Sequence, residues 1–350
     1  MDLSLLVTGG GMRIADLLTI ARQAESAGFD GMYMAEVHRT GFVPLTAIAS
    51  VTQRMRIGPY VLNAYGRSPL LTGMSAIDLN EFSGGRLVLG LGGGNRIINE
   101  QWQGIPHARV LTKMTEYVEI VRRMAATRLG GRVDFDGAVH SMHWSPAIDP
   151  GDKIFPILLA AVFPSMLKIA ARVADGVGGG ATLGVDYLRE VLRPQAAAAA
   201  AEAGRDPATL RWSAVGVIAM HEERALARAA ARSALCHFYA PLPHPYYEHT
   251  MREQGFGAAA DAALKYMPSG QLAAAMEAIS DECLNRIVIA GTPAECQARI
   301  TAYASVLDEL LLLNVSPAPE GDVVTGYQGL MRLPAALSAA LRESSIGGTH

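Results

Sequence analysis

Short apolar segments alternate with amphipathic helical segments along nearly the whole chain, and this alternation constrains the fold more than any other feature. Residues 13–27, for example, have helical periodicity that ends at Gly28. Strands that alternate with helices form parallel sheets, because each connection has to cross back over the sheet. The predicted strands are residues 3–8, 31–35, 56–62, 86–91, 156–161, 176–177, 212–220 and 308–315.

Eight such units predict an α/β fold of the closed (β/α)8 TIM barrel type with insertions. We expect residues 1–350 to form a single domain, because no linker or change of composition divides the chain. A doubly wound chain of two domains is the alternative. The chain has 350 residues, 50% of them hydrophobic, and can bury a large core, which excludes intrinsic disorder.

Two segments of the chain are additional to the strands and helices that a minimal barrel requires. Residues 132–148 alternate in polarity around Asp136-Gly137, which predicts a β-hairpin. Residues 240–270 are rich in Pro, Tyr, His and Gly, and long excursions of this kind often form lids. We expect a lid-like substrate selector there, or equally a dimer or packing element. The side chains that could select the substrate are His244, Tyr246 and Tyr247 in this segment, with Tyr239 just before it.

Charge and composition limit the classes of molecule that the protein can bind. The net charge is −3 and no run of basic residues occurs, which argues against nucleic acid and acidic membranes. No basic leader is visible, the apolar runs are too short to span a bilayer, and the three cysteines form no metal-binding pattern. We therefore expect a cytoplasmic protein without a metal site that acts on a small-molecule substrate.

Glycine triplets follow three of the predicted strands, at residues 9–11, 92–94 and 178–180. The carboxyl ends of barrel strands share one rim, which carries the active site in barrel enzymes. Glycine lets the backbone approach a flat ligand, and its N–H groups can bind phosphate. The alternative is that these turns simply require glycine.

Polar side chains occur at the same strand ends. Glu36 and His38 follow the second strand, Asn63 ends the third, and Asn95 and Asn99 follow the fourth. We expect them to lie together on the rim, although Glu36 and His38 alone would also suit a surface loop.

Several motifs carry a family resemblance. They are SGGR at 83–86, GLG at 90–92, ADG at 174–176 and AGTP at 290–293. Together they resemble the luciferase-like monooxygenase superfamily, and within it the deazaflavin-dependent branch that includes methylenetetrahydromethanopterin reductases. The resemblance implies a (β/α)8 barrel, coenzyme F420 bound across the carboxyl-end rim, and a homodimer.

The resemblance also implies site residues. It implies a cis peptide bond between Tyr60 and Val61 that bulges against the coenzyme ring, and an acidic residue, Glu36, near that ring. Gly179 and Gly180 match a phosphate loop. The candidate coenzyme-binding residues are Tyr60, Val61, Asn63, Gly93, Gly94, Asn95, Asn99, Ala160, Ala161, Val162, Gly179 and Gly180.

Two departures concern the substrate. Family members that act on glucose 6-phosphate carry a catalytic Glu where this chain has Asn95, and an adjacent Asp-His where it has Glu36-Val37-His38. Both departures argue against a sugar-phosphate substrate. They leave Glu36 and His38 as candidate catalytic proton donors.

The resulting hypothesis is an F420-dependent oxidoreductase, a reductase or dehydrogenase. It would transfer a hydride between the deazaflavin and a C=N or C=C carbon of a small organic substrate. An FMN-dependent monooxygenase that uses reduced flavin and oxygen is the alternative. A third possibility is a flavin-binding or structural subunit without turnover.

Overall fold

A computed structural model describes residues 1–239, 245–319 and 322–346, with side chains up to residue 339. No helix in these ranges has both the length and the apolar character that crossing a bilayer requires. The strands are β1 (Asp2–Val7), β2 (Gly31–Met34), β3 (Arg56–Pro59), β4 (Leu62–Asn63), β5 (Leu89–Gly92), β6 (Val133–Asp136), β7 (Ser141–Trp144), β8 (Ile157–Ala160), β9 (Gly176–Gly179), β10 (Arg211–Met220), β11 (Ile289–Gly291) and β12 (Glu309–Asn314).

Parallel pairing joins these strands, apart from β6 and β7, into one sheet in the order β3-β2-β1-β12-β10-β9-β8-β5-β4, with β11 beside β10. The sheet closes where Ile57 of β3 bridges Leu87, just before β5. The Ile57 N–H donates to the Arg86 carbonyl at 3.0 Å, and the Val88 N–H donates to the Ile57 carbonyl at 2.9 Å. The predicted (β/α)8 barrel is confirmed. Sequence patterns did not predict β11, which has only three residues.

Helices cover the outside of the barrel, and their starts follow local capping chemistry. The Ser68 hydroxyl accepts the Leu71 N–H at the start of the helix Pro69–Phe82, and Thr292 and Glu295 form a capping box at the start of the helix Pro293–Tyr303. The helices are α1 (Ile14–Ala27), α2 (Phe42–Ala49), α3 (Pro69–Phe82), α4 (Val110–Ala126), α5 (Pro164–Val173), α6 (Val185–Tyr187), α7 (Arg193–Glu202), α8 (Arg224–His237), α9 (Pro245–Glu253), α10 (Gly257–Tyr266), α11 (Leu272–Glu277), α12 (Asp281–Ile287), α13 (Pro293–Tyr303), α14 (Thr325–Gln328) and α15 (Leu333–Ile346).

The structure confirms the predicted hairpin in the first insertion and shows helices in the second. The hairpin predicted near 132–148 is present as the antiparallel pair β6–β7. The segment near 240–270 is helical where it is described, with α9 and α10 in place of a loop. Residues 240–244, including the candidate His244, lie outside the described residues.

A buried ionic cluster closes the amino-terminal end of the barrel. Glu309 is fully buried and accepts hydrogen bonds from the Ser4 hydroxyl at 2.6 Å and the Tyr33 hydroxyl at 3.1 Å. Arg56 Nη2 and Arg211 Nη2 approach its two oxygens at 3.2 and 3.1 Å. These side chains fill the amino-terminal end of the barrel, and barrel enzymes bind their ligands at the opposite, carboxyl-end rim.

Glu116 of α4 holds the turn of the β6–β7 hairpin. Its carboxylate accepts the N–H groups of Ala138, Val139 and His140 at 2.6, 3.0 and 2.8 Å. Burial works to raise the pKa of Glu116, but the hydrogen bonds from His140, Ala138 and Val139 outweigh it and hold the pKa below its usual value.

We expect Glu116→Gln to lower the free energy of unfolding by about 1–3 kcal/mol at neutral pH, because a buried N–H then loses its acceptor. A depressed carboxyl pKa adds stability above the unfolded value of 4.5, and this stability is lost as pH falls through the folded pKa. Denaturant unfolding at about pH 7 and about pH 3 should therefore show the gap between variant and wild type shrinking in acid.

Glu119→Gln is the matched control in the same helix. Its exposed carboxylate pairs only with Arg123, one turn away, and it should cost less than about 0.5 kcal/mol. A gap between Glu116→Gln and wild type that did not change with pH would contradict the role assigned to the carboxylate charge.

Candidate active site

Tyr60 and Val61 interrupt the third barrel strand at the rim, between β3 and β4, and the expected cis peptide bond joins them. The Tyr60 hydroxyl donates to the Gly179 carbonyl at 3.0 Å and lies 3.2 Å from Ser213 Oγ. Burial raises the pKa of Tyr60, so the hydroxyl remains a protonated donor. Tyr60 is thus anchored inside the barrel and ties the third strand to β9 and β10.

Glycines in β5 make room for this segment. A methyl group on Gly90 would lie 2.4 Å from the Pro59 carbonyl oxygen. A methyl group on Gly92 would lie 2.6 Å from Val61 Cγ2 and 3.5 Å from Ala160 Cβ. Val61, Gly92 and Ala160 therefore form an apolar floor, free of bulky side chains, at the rim. A planar ring fits against such a floor.

The next two strand ends lie beside this floor. The Ala161 N–H donates to the Gly178 carbonyl at 3.0 Å. A methyl group on Gly180 would lie 3.7 Å from Val162 Cγ1, in ordinary contact, and both residues are partly exposed. The structure thus brings together the candidates from the ends of β8 and β9, and it leaves the backbone of Gly180 open to a ligand.

Two amide side chains fix the loop after β5. Asn63 Nδ2 donates to Asn99 Oδ1 at 2.7 Å, and Asn99 Nδ2 donates to the Gly93 carbonyl at 2.9 Å. Asn99 Nδ2 also lies 2.7 Å from His107 Nδ1. Gly94 has φ 67° and has no space for a side chain beside Asn63. The amides thus hold the loop, and the partly exposed backbone of Gly93 and Gly94 faces the rim.

Asn95 carries a hydrogen-bond donor without a partner. Its Oδ1 accepts the Ile97 N–H at 2.8 Å, whereas its Nδ2 has no hydrogen-bond partner among the described residues although it is buried. An unpaired buried amide costs about 1–3 kcal/mol. An acceptor oxygen on a bound coenzyme would satisfy this donor, so the loop suits a polar coenzyme.

Glu36 is held firmly at the end of β2. Its two oxygens accept the N–H groups of Gly41 and Asn63, each at 3.1 Å, and Arg67 Nη2 lies 3.4 Å away. The carboxylate thus links the loop after β2 to the end of β4. This arrangement suits a residue that positions the rim.

His38 is exposed and lies over the loop after β1. It forms no hydrogen bond in the described part of the chain, and a methyl group on Gly10 would lie 3.6 Å from its Cδ2. His38 is thus exposed to solvent, whereas backbone N–H groups hold the Glu36 carboxylate. An exposed imidazole can both accept and donate a proton.

Helix α9 lies along the same rim. The Tyr246 hydroxyl donates to the Gly94 carbonyl, and His249 packs on Phe163 with ring centroids 4.7 Å apart. Thr250 Oγ1 is 2.8 Å from Thr182 Oγ1, in the loop after β9. The helix thus contacts the loops after β5, β8 and β9. Sequence reasoning missed Phe163 and Thr182, although Phe163 directly follows Val162 and Thr182 lies two residues after Gly180.

Among the described residues, no group of three or more His, Cys, Asp and Glu side chains is placed to hold a metal ion. The polar groups described on this rim are backbone amides, the side-chain amides of Asn63, Asn95 and Asn99, the Glu36 carboxylate and the His38 imidazole.

A family model described as luciferase-like monooxygenase matches residues 3–309. 5,10-Methylenetetrahydromethanopterin reductase of Archaeoglobus fulgidus is 31% identical over 293 residues, which cover 83% of this chain and 86% of the relative. The structure of coenzyme F420-dependent tetrahydromethanopterin reductase from Methanopyrus kandleri matches with a TM-score of 0.78 at 19% identity, covering 95% of this chain and 99% of that chain.

A second solved structure binds a different flavin. The oxygenating constituent of 3,6-diketocamphane monooxygenase from Pseudomonas putida, in complex with FMN, matches with a TM-score of 0.69 at 16% identity and covers 97% of this chain and 98% of that chain. At these identities, both structural matches speak for the fold alone. The family model spans most of the chain, and the chain belongs to the luciferase-like monooxygenase family.

Proposed function

We propose that this protein is an F420-dependent oxidoreductase, a reductase or dehydrogenase. The observation that carries the proposal is the floor of Val61, Gly92 and Ala160 beside the unpaired Asn95 amide, because a flat ring with a polar edge satisfies both. The reductase from Archaeoglobus fulgidus, alignable over most of both chains, supports it. When bound, the deazaflavin supplies the ring carbon C5 that carries hydride to or from a C=N or C=C carbon of the substrate.

The chain's own residues hold and orient the coenzyme in this proposal. Val61 and Ala160 contact the ring, and the N–H groups of Gly93, Gly94 and Gly180 bind its side chain and phosphate. The other members of the proposed coenzyme site are Tyr60, Asn63, Asn95, Asn99, Ala161, Val162 and Gly179. Of these, Tyr60, Asn63 and Asn99 act by holding the rim in shape, since their polar atoms already have protein partners.

A binding titration of the purified protein with F420 and, separately, with FMN tests the coenzyme. We expect F420 to bind at least about tenfold more tightly than FMN, a difference of about 1.4 kcal/mol. Tight binding of FMN alone would overturn the proposal in favour of the FMN-dependent monooxygenase. That alternative has weaker support, because the FMN-bound relative is similar only in fold.

We propose His38 as the proton donor and Glu36 as a positioning residue. His38→Ala should lower kcat about 100-fold with little change in F420 affinity, since general acid catalysis typically contributes about 10²–10⁴-fold. Glu36→Gln should instead weaken F420 binding about tenfold, because a Gln places a donor against one of two backbone N–H groups.

These effects are measured as oxidation of reduced F420 with a C=N or C=C compound found by screening, and as F420 affinity. His143→Ala is the control, because His143 pairs with Asp134 on the hairpin, away from the rim. Full turnover in His38→Ala would refute the first assignment, and unchanged F420 affinity in Glu36→Gln would refute the second. If the wild type binds F420 but turns over no compound, a subunit without turnover is favoured.

We also propose a homodimer. Leu71, Met74 and Phe82 are exposed along α3, and Val43 is exposed on the adjacent α2. Three of the five exposed side chains of α3 are apolar, and exposed apolar side chains that cluster on adjacent helices favour packing against another surface. Light scattering should give twice the monomer mass, and Leu71→Glu should shift it toward the monomer; a monomeric wild type would refute the dimer.

The single domain spanning residues 1–350 and the cytoplasmic location remain proposals. The described cysteines Cys236, Cys283 and Cys296 are free and buried, which agrees with a reducing compartment. The proposed partner is a small-molecule substrate, and no nucleic-acid or membrane partner is proposed. Fractionation of the source cells tests the location.

A further inference from the structure

The loop after β9, residues 180–184, has backbone donors that no other part of the protein uses. Among the described residues, the N–H groups of Gly180, Ala181 and Thr182 find no acceptor, whereas the Gly184 N–H donates to Gln254. Successive unpaired N–H groups in a turn form a concave site for an anion. The loop therefore has donors for a phosphate group, provided that its backbone keeps this shape.

The shape of the loop depends on an unusual conformation at Thr182. This residue has φ 70° and is only 1% exposed. The glycine loops after β1 and β5 place glycine at their positive φ angles, at Gly9, Gly11 and Gly94, whereas this loop has a β-branched residue there. A β-branched residue disfavours positive φ, so contacts with the rest of the protein have to hold Thr182 in place.

These contacts come from α9 and the residue that follows it. Thr250 Oγ1 of α9 lies 2.8 Å from Thr182 Oγ1. Gln254, directly after the helix, donates from Nε2 to the Thr182 carbonyl at 2.8 Å, and its Oε1 accepts the Gly184 N–H at 2.9 Å. Thr250 and Gln254 thus hold the side chain and the carbonyl of Thr182 on one side, which leaves the preceding N–H groups free.

Helix α9 reaches the other glycine loop of the proposed coenzyme site as well. The Tyr246 hydroxyl, one turn before Thr250, donates to the Gly94 carbonyl in the loop after β5. The helix belongs to the second insertion and not to the strands and helices of the minimal barrel. A segment added to the barrel therefore fixes two of the barrel's own loops.

We propose that Thr250 and Gln254 are positioning residues for the phosphate group of the coenzyme, because they hold Thr182 at positive φ and so keep the loop after β9 ready to bind. This inference rests on the proposed function, which supplies the phosphate-bearing coenzyme. Without the two side chains Thr182 relaxes, and binding first has to restore the loop. The apparent affinity then falls by the fraction of molecules in which the loop is still competent.

Fluorescence titration of the full chain with F420 and with FO tests the proposal. FO is the deazaflavin with the same ring and ribityl chain but without the phosphate. Thr250→Val and Gln254→Met should each weaken F420 binding about tenfold, because the competent loop becomes that much rarer. FO should bind both variants as it binds the wild type, since the floor of Val61, Gly92 and Ala160 is unchanged. Thr250→Ser keeps the hydroxyl and should retain the wild-type F420 affinity.

Helix α13 offers matched controls. The Thr301 hydroxyl donates to the Gln297 carbonyl at 3.0 Å, and Gln297 Nε2 donates to the Ala336 carbonyl at 3.1 Å. Thr301→Val and Gln297→Met therefore remove the same groups from a helix away from the loop after β9, and both should bind F420 as the wild type does. Thermal melting confirms that each variant is folded.

Thr182→Gly provides a second test. Glycine adopts positive φ without strain, so the loop no longer needs to be held. Adding Thr250→Val to Thr182→Gly should therefore cause no further loss of F420 affinity. A full tenfold loss in that background would overturn the inference, as would unchanged F420 affinity in both Thr250→Val and Gln254→Met, or an equal loss of F420 and FO affinity.

FMN and riboflavin, which also differ by a phosphate, separate this inference from the proposed function. A wild type that binds neither F420 nor FO would refute the proposed function. The same variants would then be titrated with FMN and riboflavin, where a loss confined to FMN would support the positioning role. Equal losses for FMN and riboflavin, or no binding of FMN, would overturn it.

Discussion

Replacing Gly92 with valine is expected to weaken F420 binding about 100-fold while the barrel still folds. A methyl group at Gly92 would lie 2.6 Å from Val61 Cγ2 and 3.5 Å from Ala160 Cβ. The larger side chain therefore has to push Val61 toward the rim or occupy the floor itself. Overpacking of this kind costs about 1–3 kcal/mol, and here the cost falls on the surface where the ring is proposed to bind.

Fluorescence titration with F420, together with thermal melting, measures this effect. Gly257→Ala is the matched control, because an added methyl group there meets the flexible Arg252 side chain at 3.3 Å and has no proposed coenzyme-binding residue within 4 Å. The control should bind F420 as the wild type does. A Gly92→Val protein that bound F420 with unchanged affinity would show that the ring does not lie on this floor.

The alternation of strands and helices along the sequence was enough to predict the barrel and the side of it that forms the rim. Carboxyl ends of parallel strands meet on one side, so Glu36 after β2 and Asn63 at the end of β4 had to approach each other. The structure places the Asn63 N–H 3.1 Å from the Glu36 carboxylate. The sequence pattern predicts this contact correctly because the distance between the two residues depends on the order of the strands and not on how side chains pack.

The hydrogen-bond partners of individual side chains could not be predicted in the same way. Asn99 was expected to bind the coenzyme, but which atoms of its amide remain free depends on the wide helical turn at Ile98–Trp102 that follows β5. That turn brings Asn99 between Asn63 and the Gly93 carbonyl. No local periodicity encodes such a turn.

A cavity of about 250 Å³ between the loop after β1 and the segment after β12 could not be predicted for a related reason. Thr8 and Tyr327 belong to opposite ends of the chain, and they meet only because β1 pairs with β12 and closes the barrel. The rule that every strand end contributes to the rim would have directed attention to the segment after β12.

Glu309→Gln is expected to lower the free energy of unfolding by about 3–5 kcal/mol, the usual cost of removing one partner of a buried ion pair. Among the described residues, the change leaves Arg56 and Arg211 in ion pairs with Asp2 alone, 2.7 Å from each Nη2. The Nε atoms of both arginines already lack partners among the described residues. The cluster therefore has no spare acceptor that could replace the lost charge.

With an unfolding entropy of about 2.1 cal/mol/K per residue, this loss lowers Tm by about 4–7 °C for a chain of this length. F420 affinity should not change, because Glu309 lies at the opposite end of the barrel from the rim. Asp281→Asn is the matched control: Asp281 also contacts two arginines, Arg228 and Arg232, but its side chain is 71% exposed and it should cost less than about 1 kcal/mol. Equal melting temperatures for Glu309→Gln and Asp281→Asn would mean that burial adds nothing to the cluster, and closure of the barrel floor would then have to rest on apolar packing alone.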